Sequence, residues 1–265
     1  MRAKEFFATH PVFTNAEFTK HLEAGGSSNI KTKESLLAYH VRQGNLLRIR
    51  RGLYMSVPLG MKPETCPTDP YLIAAKMTDD AVLAYHTALE FHGKAYSVFE
   101  QFQYLTMRSG RQTKFRSYTF SGVRPPKALG DQNIKFGIKT MERSGLDVRV
   151  TSLERTLVDL MDRPILGGSW EEIWRSLEGI EFFDLKKVVK YALLLRNATT
   201  VARVGFFLEQ HQESLMVTDH YLEMLRKHKP NAPHYFERGK PGRLVKPWNL
   251  MVPESILERS WQEVV

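Results

Sequence analysis

Apolar positions follow a helical period through the first part of this chain and then an alternating one. Residues 2–10 suit a short helix that stops at His10-Pro11, because the residue before a proline is pushed out of the helical region. Thr14-Asn15-Ala16-Glu17 is a capping box. It opens a second helix that buries Phe18 and Leu22 and stops at Gly25-Gly26. After a turn at Ser27-Ser28-Asn29, a third helix is predicted from about Lys31 to Gln43, with Gly44 as its stop. Leu47 and Ile49, then Leu53 and Met55, alternate on either side of a turn at Arg51-Gly52 and predict a two-stranded hairpin.

Helix, helix, turn, helix, hairpin is the order of a winged helix-turn-helix, here over residues 1–58. A Pro- and Gly-rich linker follows at 59–67, and a C-terminal domain is expected over 68–265. Thr68-Asp69-Pro70 starts a helix, and residues 70–92 read as two helices. Residues 98–150 read as strands. The clearest is 133–139, with Ile134, Phe136 and Ile138 on one side and Lys135 and Lys139 on the other. The segment Phe115 to Phe120 is expected beside it, with Lys114 and Arg116 adding charge, so that a small sheet shows a basic face. Capping boxes at Thr151-Ser152-Leu153-Glu154 and Ser169-Trp170-Glu171-Glu172 open a mainly helical part, with further helices near 184–195, 199–214 and 218–228. Strand signals return at 244–245 and 248–252, with a helical turn after Pro253. The expected fold class is α+β.

Charge sharpens this outline. The 265 residues carry a formal net charge of +9, concentrated in two blocks. Residues 1–58 hold nine Lys and Arg against four Asp and Glu, and residues 94–149 hold eleven against four. A polyanion is the partner such blocks imply. On the third helix, Leu36, Leu37, His40 and Val41 share one side, while Lys31, Ser35, Ala38, Tyr39 and Arg42 fall on the other, with Thr32 next to Lys31 in sequence. Lys31, Thr32, Ser35, Tyr39 and Arg42 are therefore candidate contacts to phosphates and base edges in the major groove of double-stranded DNA. The hairpin adds Arg48, Arg50 and Arg51. Lys114, Arg116, Lys135 and Lys139 form a candidate second basic surface.

Other chemistry finds little support. The single cysteine, Cys66, cannot form an internal disulfide and has no basic neighbour in sequence to activate it. The apolar block Tyr191–Leu195 is far too short to span a bilayer, and no secretory signal stands at the start. A cytoplasmic protein without a membrane partner is expected. Gly167-Gly168-Ser169 lacks the following Asp-x-Asp that a nucleotidyltransferase needs to hold magnesium. Glu171 and Glu172 point about 100° apart on a helix. No phosphate loop or zinc-protease helix occurs. His86 and His92, six apart, do not share a helical face, and Arg155 with Asp159 reads as a surface or capping pair. No catalytic residue, cofactor or metal is expected, and the chain is not read as an enzyme.

Several phrases together resemble the AbiEi family of type IV antitoxins. They are His10-Pro11-Val12-Phe13-Thr14 through to Arg50-Arg51-Gly52-Leu53-Tyr54, then Thr151-Ser152-Leu153-Glu154-Arg155-Thr156-Leu157-Val158-Asp159, Gly205-Phe206-Phe207-Leu208-Glu209 and Trp248-Asn249-Leu250-Met251-Val252-Pro253. The resemblance spans nearly the whole chain. It implies a transcriptional repressor of its own toxin–antitoxin operon that binds operator repeats through the winged helix. It further implies a C-terminal domain that counteracts a nucleotidyltransferase toxin, without a stable complex. A stand-alone regulator, or a winged fold that docks a protein and touches no DNA, are the alternatives.

Overall fold

The chain begins α1 (Arg2–Thr9), β1 (Val12–Thr14), α2 (Asn15–Ala24), α3 (Ile30–Arg42), β2 (Leu46–Arg50) and β3 (Leu53–Ser56). It continues α4 (Pro70–Ala75), β4 (Val82–Leu83), α5 (His86–Phe91), β5 (Gln101–Leu105), β6 (Thr113–Phe115) and β7 (Tyr118–Val123). Next come α6 (Gly130–Asn133), β8 (Ile138–Arg143), β9 (Leu146–Thr151), α7 (Leu153–Asp162), α8 (Trp170–Glu178) and α9 (Leu185–Leu194). The last elements are α10 (Ala198–Gln210), α11 (Asp219–Arg226), β10 (His234–Tyr235), β11 (Arg243–Val245), β12 (Leu250–Val252) and α12 (Glu254–Leu257). The computed structural model describes residues 2–26, 30–108 and 112–262, with backbone alone at 2, 30–32 and 262. The fold is α+β.

Two compact units are present. The first comprises residues 1–83, 100–123 and 140–149, and the second 84–99, 124–139 and 150–265. This partition differs from a division at residues 59–67. The first unit keeps the winged helix together with most of a sheet that follows it.

In the first unit, Thr14 caps α2 in a full capping box: its hydroxyl accepts from the Glu17 N–H, and the Glu17 carboxylate accepts from the Thr14 N–H. Phe6, Phe7, Phe13, Phe18, Leu37 and Leu46 make the core of the winged helix. Phe6 meets Phe13 edge to face with ring centres 5.1 Å apart. Each such side chain contributes about 1.5–3 kcal/mol on burial. The hairpin β2–β3 gains a third strand that sequence reasoning missed, with β1 pairing antiparallel along β3 from Val12–Met55 to Thr14–Leu53. Three residues are too few to show an alternating pattern.

A six-stranded mixed sheet has the order β6-β7-β5-β4-β9-β8, with β5 and β7 parallel. The expected pairing of residues 115–120 with 133–139 is not formed. β6 lies at one edge of the sheet and β8 at the other. Nor is 133–139 one strand: α6 ends at Asn133, residues 134–137 form turns, and β8 starts at Ile138. The reason lies in the second unit. The carbonyls of Ile134 and Phe136 accept from Arg155 Nη1 at 2.9 and 2.7 Å, so the turn closes over a buried guanidinium. Gly137 permits it, with φ +63° and a would-be Cβ only 2.9 Å from Arg155 Cβ.

Arg155 itself corrects a second expectation. It pairs with Asp159 at 3.2 Å on α7, but both side chains are fully buried, not at the surface. The Tyr191 hydroxyl donates to Asp159 at 2.7 Å. Burial works against the Arg155 charge, and the Asp159 carboxylate more than restores it, pushing the guanidinium pKa up. The N-cap of α7 is Ser152, one residue later than expected, because Thr151 ends β9 and its hydroxyl meets that of Thr156 at 2.8 Å. Helices α7 to α11 pack around Leu157, Val158, Trp174, Phe207 and Trp248, and a three-stranded sheet β10-β12-β11 closes the chain. Among the described residues no helix is long and apolar enough to cross a membrane.

Candidate nucleic-acid interface

Helix α3 divides its residues sharply. Leu37 and His40 are buried, Leu36 and Val41 half-buried, while Ser35, Ala38, Tyr39 and Arg42 are exposed. Tyr39 is 56% exposed, so its ring is free to meet a ligand. The amphipathic assignment therefore places Ser35, Tyr39 and Arg42 on the open side. Lys31 and Thr32 lie in α3, but their side chains fall outside the described residues, as does the turn at 27–29. Lys33 turns inward instead, 3% exposed, with Nζ 2.8 Å from the Glu23 carboxylate. That ion pair ties α3 to the end of α2. His40 Nδ1 meets Asn45 Nδ2 at 3.2 Å, and the ring lies edge-on to Phe7. Burial, helped by the nearby Lys4 charge, pushes the His40 pKa down, so at pH 7 it is neutral and adds nothing to the cationic face.

The hairpin follows α3 after three residues. Its burial pattern breaks strict alternation: Leu46 and Ile49 are buried, Arg48 and Arg50 exposed. A bulge between Arg48 and Arg50 makes this possible. In a regular strand Leu46, Arg48 and Arg50 would share one face. The bulge slips the register and re-aims the side chains beyond Arg48. Leu46 therefore takes the core position expected for Leu47. Arg48 and Arg51 are exposed. Arg50 is exposed along its stem, but its guanidinium donates to the carbonyl of Met77. It does not stand free at the hairpin tip.

Two further arginines reach the segment after α4, and no sequence signal marks them because their partners lie far along the chain. Arg149, on β9, donates to the Asp79 carbonyl, and Arg108 pairs with the Asp79 carboxylate at 2.6 Å.

The second basic set is dispersed. Lys114 is exposed on edge strand β6 and Lys139 on β8, the opposite edge. Lys135 is exposed in the turn that covers Arg155. Arg116 occupies the β6–β7 turn at φ +56° and donates to the carbonyls of Pro63 and Cys66 at 2.6 and 2.5 Å. It holds the linker segment in place. It also brings a guanidinium within 3.3 Å of the buried Cys66 sulfur, so that thiol does have a basic neighbour, from 50 residues away.

The residues weighed for enzyme chemistry have other partners. Ser169 caps α8, Glu171 pairs with Arg175 at 3.0 Å, and Glu172 meets His86 at 3.0 Å. His86 is stacked on Phe99 and also lies 3.0 Å from Glu90, whereas His92 bonds the Thr151 carbonyl. Among the described residues no group of three or more His, Cys, Asp or Glu is placed to hold a metal ion.

No protein-family model matches the chain, and neither does any curated protein. Among solved structures, the chain is similar to the RV2827C protein from Mycobacterium tuberculosis. The TM-score is 0.64 at 17% identity, over 99% of this chain and 94% of that one. At that identity the likeness is one of fold.

Proposed function

We propose that this chain is a cytoplasmic regulator that binds double-stranded DNA and serves as the antitoxin of a type IV toxin–antitoxin system. It represses its own operon at operator repeats and counteracts a nucleotidyltransferase toxin without a stable complex. One observation carries the DNA half: Ser35, Tyr39 and Arg42 are exposed on a single helix, and a hairpin bearing exposed Arg48 and Arg51 follows directly. Helix residues suit base edges and hairpin arginines suit phosphates. The antitoxin half rests on the resemblance to AbiEi proteins. It is supported by the packing of two of the segments that carry it, since Gly205 lies against the ring of Trp248.

Fluorescence anisotropy of the full-length protein on duplex DNA across a salt series tests the first half. Affinity should fall steeply with salt. Tyr39→Ala should change sequence preference, and Arg51→Ala should weaken all sequences alike and reduce the salt slope by about 0.9. Unchanged binding by both variants refutes the assignment. The second half is tested by co-expressing the full chain with a nucleotidyltransferase encoded beside it. Relief of toxicity is the expected outcome, and DNA binding without relief leaves a stand-alone regulator.

A further inference from the structure

Within the first unit, three arginines from three separate parts of the chain converge on the short segment Met77–Asp80. Arg50 comes from the hairpin and bonds the Met77 carbonyl. Arg149 comes from β9 and bonds the Asp79 carbonyl. Arg108, just beyond β5, is 65% exposed and pairs with the Asp79 carboxylate. Lys76, immediately before the segment, is bonded to Glu17 at the start of α2.

Three carboxylates bonded within this cluster are already engaged. Asp79 is taken by Arg108, Glu17 by Lys76, and Asp80 accepts from the Thr106 hydroxyl at 2.6 Å and the Met107 N–H at 2.7 Å. Arg48 and Arg51 are exposed on the same hairpin as Arg50, and Asp147 on β9 is a carboxylate two residues before Arg149. A carbonyl acceptor does not neutralise a guanidinium. It occupies one or two of five N–H donors and leaves the others, with the full charge, in a fixed position. Fixing long side chains in advance removes part of the ordering cost of binding.

We infer that this arginine ledge continues the DNA-binding surface past the winged helix and contacts phosphates of the flanking duplex, with Arg108 and Arg149 each meeting one. The inference rests on the DNA-binding reading above and extends it to residues outside the winged helix.

The test is fluorescence anisotropy of the full chain on a mixed-sequence duplex of about 40 base pairs, roughly four helical turns. Arg108→Ala and Arg149→Ala should each lower the slope of log affinity against log salt by about 0.9. Each removes about a threefold share of the affinity lost between about 50 and 200 mM salt. Arg149→Lys should keep the slope. Asp79→Asn, which removes a negative charge beside Arg108, should tighten binding. Arg108 has an exposed side chain, so its variant tests the ledge even if loss of Arg149 disturbs folding. Wild-type slopes for Arg108→Ala and Arg149→Ala, alongside a reduced slope for Arg51→Ala, overturn the ledge while leaving the hairpin assignment standing. Absence of duplex binding by the wild-type chain overturns both.

Discussion

Gly205 lies inside α10, where glycine costs about 1 kcal/mol relative to alanine. Helix propensity alone therefore makes Gly205→Ala a stabilising change. The structure reverses that sign. A Cβ at this position comes within 2.2 Å of two atoms of the Trp248 ring and 2.8 Å of a third. Nonbonded carbons rest at about 3.5–4.0 Å, so the ring has to retreat by more than about 1 Å. Trp248 is fully buried, its indole N–H donates to Glu209 at 2.7 Å, and the Arg226 guanidinium sits over the ring. Overpacking costs about 1–3 kcal/mol, and a lost bond to a charged acceptor a further 1.5–3. The net expectation is destabilisation by about 2–4 kcal/mol. Urea unfolding followed by tryptophan fluorescence should show a midpoint lower by about 1–2 M. Gly179→Ala is the control. Its nearest atoms are 3.6 Å away, so its midpoint should barely move. Trp248→Leu in the Gly205→Ala background should lose less than the two single changes added together. If Gly205→Ala unfolds at or above the wild-type midpoint, the steric argument is wrong.

Arg155→Met leaves the buried Asp159 carboxylate without its cation and should cost about 3–5 kcal/mol by chemical denaturation, and wild-type stability would refute the pair's role. Arg155→Lys should not restore it, because an ammonium lacks the fork that reaches Asp159 and two carbonyls together. Burial raises the Glu17 carboxyl, but the Lys76 ammonium and the Thr14 N–H and hydroxyl outweigh it, so its pKa is held below the ordinary 4.5. The stability this provides is present above that value and is lost as pH falls through the lower folded one. The advantage of wild type over Glu17→Gln should thus be flat from pH 7 to about 5 and shrink below about 4.5. An advantage that does not shrink on acidification contradicts the assignment. Burial holds the His40 pKa below its ordinary value, so His40→Gln should leave the change in DNA affinity between about pH 7 and 8 as in wild type, a point that anisotropy at the two values checks.

The winged helix was legible because its signals are local. A capping box at Thr14, a stop at Gly25-Gly26 and three turns of amphipathic helix from Lys33 to Arg42 each sit within a few residues. The misreadings arose where a distant partner set the local structure. Ile134, Phe136 and Ile138 alternate like a strand, yet the first two supply turn carbonyls to Arg155, some twenty residues ahead. Thr151 looks like a cap, but its hydroxyl is spent on Thr156 and the cap passes to Ser152. Arg50 looks like a free hairpin tip until Met77 is brought against it. Periodicity also cannot reveal a bulge, so the core position went to Leu47 and not Leu46.

The order in which the chain visits its two units has a practical consequence for dissecting them. Five successive passages separate residues 1–83 from 150–265, so no single cut frees either unit intact. A fragment starting near residue 70 would take the strands β4 to β7, and the parts of β8 and β9 that belong to the first unit, away from the hairpin and helices of that unit. Protease nicking should accordingly leave fragments that stay associated under native conditions. Genetic separation of the proposed DNA-binding and antitoxin roles calls for surface point changes in the intact polypeptide, not truncation.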